Sequence, residues 1–162
     1  MIVGHGDIAR AIVDRPDRLF FASGVSNSLE TRESEYQREK DLLAIQSRDL
    51  QIVYFSTLAI FYSETRYTRH KLEMEALIKE FPCYAIVRLG NITWGENPHT
   101  LINALKGKVA RQEPFEIQNT TRYVIDKPEF LHWMCLIPKW NVEMTLTGQP
   151  MKVTEIVKKY VL

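Results

Sequence analysis

A chain of 162 residues with 45% hydrophobic and 25% charged residues has ordinary globular composition, and its length suits one sizeable core, not two large domains. A net charge of +1 gives no overall pull toward nucleic acid or a membrane surface. The longest apolar runs are strand-length and no signal peptide is visible, so a cytoplasmic protein is expected.

Met1-Ile-Val-Gly4-His-Gly6-Asp7-Ile8-Ala9 reads as a strand (1–3), a glycine turn and a helix (7–14). Met1 directly before the strand reads as a natural start. Gly-x-Gly-x-x-Ala is the spacing with which a backbone approaches a pyrophosphate at a helix N-terminus. The same glycines also suit a turn that packs a helix onto a strand, and Asp7 favours a helix N-terminus with no anion on it.

A second strand (18–23) leads into the small residues Ala22, Ser23 and Gly24. The charge-rich stretch from Glu30 to Asp41 opens a helix (33–47) and reads as a solvated face with pairs at i,i+4. Ile52, Val53, Tyr54 and Phe55 form a buried-type strand (51–56) that ends in Ser56 and Thr57. Open α/β sheets place their ligands at that carboxyl end, although such hydroxyls also cap ordinary turns.

The helix at 66–80 holds the most informative pair, Tyr67 and Lys71. Four residues apart, they leave the same helix face. A free tyrosine ionises near pH ~10, and a neighbouring ammonium is expected to lower that value, so the pair suits proton exchange with a hydroxyl or ketone oxygen. Further elements follow: a strand (83–89), a helix (98–110), a strand (114–118), a short helix near 127–136, a strand (142–146) and a helix (153–161). Met74, Leu77, Ile78 and Phe81 form one core stripe, and Val153, Ile156, Val157, Tyr160 and Val161 another. Cys83 and Cys135 have apolar neighbours and read as buried free thiols. The histidines lack metal-ligand spacing, and His70 reads as a surface residue.

In this order, the glycine turn, the strand ending in hydroxyls and the Tyr67/Lys71 helix resemble the short-chain dehydrogenase/reductase superfamily. Arg88-Leu-Gly-Asn91-Ile-Thr-Trp-Gly95, Thr121-Arg122-Tyr-Val-Ile-Asp126 and Gly148-Gln-Pro-Met are similar to its extended branch, the nucleotide-sugar epimerases, dehydratases and reductases. The resemblance implies an α/β fold: a Rossmann-like parallel sheet with helices on both faces (1–95), and small substrate-region elements packed on it (96–162). It implies NAD or NADP at Gly4, Gly6, Asp7, Ile8, Ala22, Ser23 and Gly24. It implies a nucleotide-linked sugar at Asn91 and Arg122, and catalysis by Tyr67, Lys71 and Thr57 with Ser56. The branch's third hydroxyl position falls on Leu58, so the hydroxyl role rests on Thr57.

Two strands expected after the first helix, which would hold the adenosine half of the cofactor, have no counterpart here. The implied function is a nucleotide-sugar oxidoreductase or epimerase of polysaccharide biosynthesis. Two alternatives stand beside it: a non-catalytic scaffold or binding subunit, and a proton-transfer enzyme without a dinucleotide. Without the adenosine strands the first strand becomes an apolar sheet edge, expected to be covered by local chain or by a homodimer. The family's usual dimer, which pairs the helices near 33–47 and 66–80, is the default.

Overall fold

Successive residues of the central strands point to opposite sides of one sheet, and both sides are apolar. Leu19, Phe21, Ile52, Tyr54 and Ile86 belong to one core cluster, whereas Phe20, Val53, Phe55, Ala85 and Val87 belong to the other. Strands buried on both faces need helices on both faces, the arrangement of parallel sheets.

The computed structural model describes all residues 1–162. In chain order the main elements are β1 (Ile2–Val3), α1 (Asp7–Ala11), β2 (Arg18–Phe21), α2 (Glu33–Ala44), β3 (Gln51–Thr57), α3 (Arg66–Ile78) and β4 (Tyr84–Leu89). They continue with β5 (Asn91–Ile92), α4 (Leu101–Ala110), β6 (Thr121–Ile125), α5 (Lys127–Leu136), β7 (Val142–Leu146), β8 (Gln149–Lys152) and α6 (Val153–Ile156).

The large sheet has the order β1-β2-β3-β4-β7, and every pair in it is parallel. α1 and α5 cover one face through Ala11, Phe130 and Met134; α2 and α3 cover the other through Leu43, Met74 and Ile78. A smaller sheet pairs β6 with β5 in parallel and with β8 antiparallel. The protein is thus an α/β fold with a five-stranded parallel sheet and a small mixed one. β1 lies at the sheet edge, and residues 12–17 lead directly from α1 to β2. No helix is long and apolar enough to cross a membrane.

Several elements differ from the sequence reading. The first helix stops at Ala11, because Ile12 already has extended backbone. No strand forms at 114–118; the strand of this region is β6, seven residues further on, between β5 and β8. The three strands of the small sheet are short, β5 is only half-buried, β8 is mostly exposed and includes Pro150, and β6 buries only Val124 and Ile125, so no hydrophobic alternation announces them. The C-terminal stripe does pack as expected, with Ile156 against Ile102 and Val124, although α6 widens into a π-type turn over Val157–Val161.

Cys83 is half-buried and Cys135 exposed, both as free thiols, which corrects their reading as buried. Cys135 follows Met134 on α5, and only Met134 points into the core.

Phe130 fixes α5 to the sheet. It is fully buried, with ring centroids 6.0 Å from Phe55 and 5.1 Å from Trp94. Phe130→Ala is expected to destabilise the fold by about 3–5 kcal/mol, read as a lower denaturant midpoint at unchanged slope.

Candidate proton-transfer site

α3 starts where Thr65 and Thr68 cap each other: the Thr68 amide donates to Thr65 Oγ1 (3.2 Å) and the Thr65 amide to Thr68 Oγ1 (2.9 Å). This reciprocal cap fixes the first turn, which bears Tyr67, and the next turn bears Lys71. Lys71 is only 4% exposed, unusual for a lysine, so its ammonium must find partners inside.

It finds them on two other elements. Lys71 Nζ donates to the Tyr54 hydroxyl on β3 (3.2 Å) and lies 3.7 Å from Glu39 Oε1 on α2. Tyr54 in turn donates to Glu39 Oε1 (2.9 Å). Glu39 is fully buried, and its other oxygen accepts from the Val25 amide (2.8 Å) and meets His70 Nε2 at 2.8 Å. A carboxylate only accepts, so His70 Nε2 holds a proton, and Nδ1 is left buried without a partner. His70 is therefore not at the surface as the sequence reading had it, and the charge-rich helix is not uniformly solvated.

Gly24 closes the cluster from above. A Cβ there would stand 2.7 Å from Lys71 Nζ and 2.9 Å from Glu39 Oε1, so only glycine lets the chain pass so near.

The electrostatics follow from burial and pairing. Burial pushes the Glu39 carboxyl up, but Lys71, His70 and the Val25 amide outweigh it and hold the group at about 2. Burial and the Glu39 charge push the Tyr54 phenol well above its ordinary value. For Tyr67, burial raises the value most. Lys71 and the Thr57 hydroxyl pull it down and Glu39 pushes it up again, leaving it raised. Lys71 acts in the expected direction, but the net shift is opposite to the one expected from the pair alone.

At the end of β3, Thr57 is half-buried and its Oγ1 accepts from the Ala59 amide (3.2 Å), capping the following turn. The Ser56 hydroxyl is buried and has no partner. Both the capping role and an available hydroxyl are thus found here, on neighbouring residues.

The glycine turn is explained mostly by packing. Gly4 has φ +124°, and a Cβ on it would stand 2.3 Å from the Ala22 carbonyl oxygen at the end of β2. Gly6 has open space where its Cβ would be. Asp7 accepts from the amides of Glu96 (3.0 Å) and Asn97 (2.9 Å), so its carboxylate ties α1 to the loop after β5. Ile8 and Ala22 pack against the core, and Ser23 accepts from Arg38 through its carbonyl (3.2 Å).

No protein-family model and no curated protein matches this sequence. Solved structures do. The Bordetella bronchiseptica enzyme WbmG in complex with NAD and UDP superimposes with a TM-score of 0.63 at 13% identity, over 88% of this chain and 56% of that one. dTDP-glucose 4,6-dehydratase from Bacillus anthracis in complex with NAD gives 0.64 at 10% identity, over 88% and 56%. RMD from Pseudomonas aeruginosa complexed with NADPH gives 0.64 at 16% identity, over 88% and 62%. The chain shares the fold of these structures. It spans little more than half the length of these structures.

Within that fold the remaining expected residues fall on the small-sheet side. Asn91 lies on β5 and donates to the Tyr123 carbonyl (3.0 Å), whereas Arg122 lies on β6 and donates to Gln118 (3.3 Å). Arg88 is bound to both oxygens of Glu75 (2.9 and 2.6 Å) and to Glu143 (2.7 Å), a network that ties α3 to β4 and β7. A polar cavity of about 490 Å³ opens beside Gly24, with Ser26, Asn27, Arg38 and His99 in its walls.

Sequence reasoning missed Glu39, His70 and Tyr54. A signal for the first existed. Tyr36, Glu39 and Leu43 are the buried residues of α2, spaced as one helical stripe, so a carboxylate stood in line with core positions.

Proposed function

We propose that this chain acts on a nucleotide-linked sugar of polysaccharide biosynthesis, through a proton-transfer site made by Tyr67, Lys71 and Thr57 with Ser56. The observation that supports this most is the burial of Lys71. An accidental Tyr-x-x-x-Lys spacing would leave the lysine in water, whereas here two further elements and a glycine are shaped around its ammonium. The site also stands at the carboxyl end of β3, the ligand side of a parallel sheet.

A nicotinamide cofactor, NAD or NADP, would supply the hydride chemistry. The residues at its reactive end fit: Gly24 brings backbone close to Lys71, and the cavity opens beside it. Gly4, Gly6, Ala22 and Ser23 would line the diphosphate path. At that end Asp7 is already engaged with the Glu96 and Asn97 amides. Tyr67 rests as a neutral phenol, which suits it to donate a proton to a substrate oxygen as a carbonyl is reduced. Thr57 would orient that oxygen, and Ser56, with its free hydroxyl, would hold it or a bridging water. Asn91 and Arg122 would contact the nucleotide-sugar.

A second reading, a non-catalytic scaffold or binding subunit, is favoured by one observation. With β1 at the sheet edge, no strand stands where the adenosine half would be held. In both readings a symmetric homodimer would cover that edge.

Calorimetric titration with NADH and NADPH, each with and without UDP, separates the readings. Binding of either cofactor below millimolar concentration is expected. Its absence at millimolar cofactor, with UDP still bound, would remove the oxidoreductase reading and leave the binding subunit and the proton-transfer enzyme without a dinucleotide.

A further inference from the structure

Three polar features stand out: the cavity beside Gly24, the Arg88–Glu75–Glu143 network, and the buried carboxylate of Glu39. The arginines near the cavity are already matched by acids: Arg32 binds Glu30 and Arg38 binds Glu35. The Arg88 network is internally satisfied. Glu39 is different. It is the most deeply buried charge in the molecule, and the residues on it come from three segments: Val25 after β2, Tyr54 on β3, and His70 and Lys71 on α3.

Two roles fit such a group. One is a proton relay, from Lys71 through Tyr54 (3.2 Å), Glu39 (2.9 Å) and His70 (2.8 Å) to the partly exposed Glu73, 3.9 Å from His70 Nδ1. A relay needs groups that gain and lose protons near the working pH. Tyr54 is held far above that range and Glu39 far below it, so neither changes state in the cell. The other role is a fixed clamp, for which constant protonation is the requirement.

We propose that Glu39 is the positioning residue of the Tyr67/Lys71 pair: its buried carboxylate fixes the Lys71 ammonium between Tyr54 and Gly24 and withholds part of its charge from Tyr67. The inference rests on the proton-transfer reading of that pair. Lys71 Nζ lies 5.7 Å from the Tyr67 ring centroid but 3.7 Å from Glu39 Oε1, so the ammonium is committed to the carboxylate before it acts on the phenol. The groups that act on the Tyr67 phenol are Lys71 on its own helix, Glu39 from α2, Thr57 from β3 and Tyr62 from the turn after it. Removing the Glu39 charge frees Lys71 to favour the phenolate.

The test needs neither cofactor nor turnover. Tyr67 is titrated by ultraviolet phenolate absorbance, as the difference between the protein and its Tyr67→Phe variant, in wild type, Glu39→Gln, Lys71→Met and the double variant. Glu39→Gln is expected to lower the Tyr67 midpoint by at least about one pH unit. The same substitution in the Lys71→Met background is expected to move it by less than half as much. An unchanged midpoint, or equal shifts in both backgrounds, overturns the proposal, because a merely structural glutamate would act without regard to Lys71. If Glu39→Gln does not fold, Glu39→Asp takes its place. It keeps the charge but withdraws it, so a smaller fall in midpoint is expected and no change overturns the clamp. A shifted midpoint in a protein that binds no nicotinamide cofactor would leave the clamp standing and remove the oxidoreductase reading alone.

Discussion

Glu39→Ala is expected to destabilise the fold by about 3–5 kcal/mol, more than any surface substitution, because it leaves a buried lysine without its counter-charge. The loss is read from the denaturant midpoint near neutral pH. Removal of the carboxylate also strands the Val25 amide and the Tyr54 hydroxyl, each of which donates to it. The same pairing predicts how stability depends on acid. Folding lowers the Glu39 value from an ordinary 4.5 to about 2, so the unfolded chain binds the proton more tightly. The resulting stabilisation, about 3 kcal/mol, is fully present above pH 4.5. It fades as the pH falls from there toward 2, and below that the carboxyl is protonated in both states. Glu39→Gln should therefore flatten the stability profile of the wild type in this window. A variant that keeps the full acid dependence would show that other carboxylates are responsible.

Tyr67→Phe is expected to lower turnover by about 10²–10⁴-fold while the protein stays folded. The phenol oxygen is the proposed proton donor, and among neutral groups the Thr57 hydroxyl is the one that favours its charged form. Loss of that one neutral contact should change stability by about 1 kcal/mol at most, so thermal unfolding separates lost chemistry from lost fold. Turnover in the reducing direction should stay level through neutral pH and fall only above the ordinary phenol range, since burial raises the Tyr67 value and keeps the proton on. A rate that rises with pH through neutrality would instead mean a phenolate base. Full turnover in Tyr67→Phe would show that the phenol is not the proton donor.

Much of the large sheet was legible in the amino-acid order. Runs such as Leu19-Phe20-Phe21 and Ile52-Val53-Tyr54-Phe55 are apolar at every position, and a strand with that pattern has to be covered on both faces. The Met74, Ile78 stripe likewise marked α3 closely. The small sheet was not legible, because β5, β6 and β8 are held by backbone pairing between segments far apart in sequence. Local pattern says little about such pairing. The strand expected at 114–118 forms instead at Thr121–Ile125, where β6 pairs with β5 and β8.

The candidate site divides in the same way. The sequence by itself determined that Tyr67 and Lys71 share a helix face and that Ser56 and Thr57 end the strand before them, since both follow from local geometry. Only the tertiary structure decided what surrounds the ammonium. Glu39 reaches it from α2, Tyr54 from β3, and Gly24 passes within contact of both charges. Those neighbours set the electrostatics: burial and a second carboxylate raise the Tyr67 phenol, where the pair alone was expected to lower it. Charge effects depend on distance and desolvation in three dimensions, and neither is written in the spacing of residues along the chain.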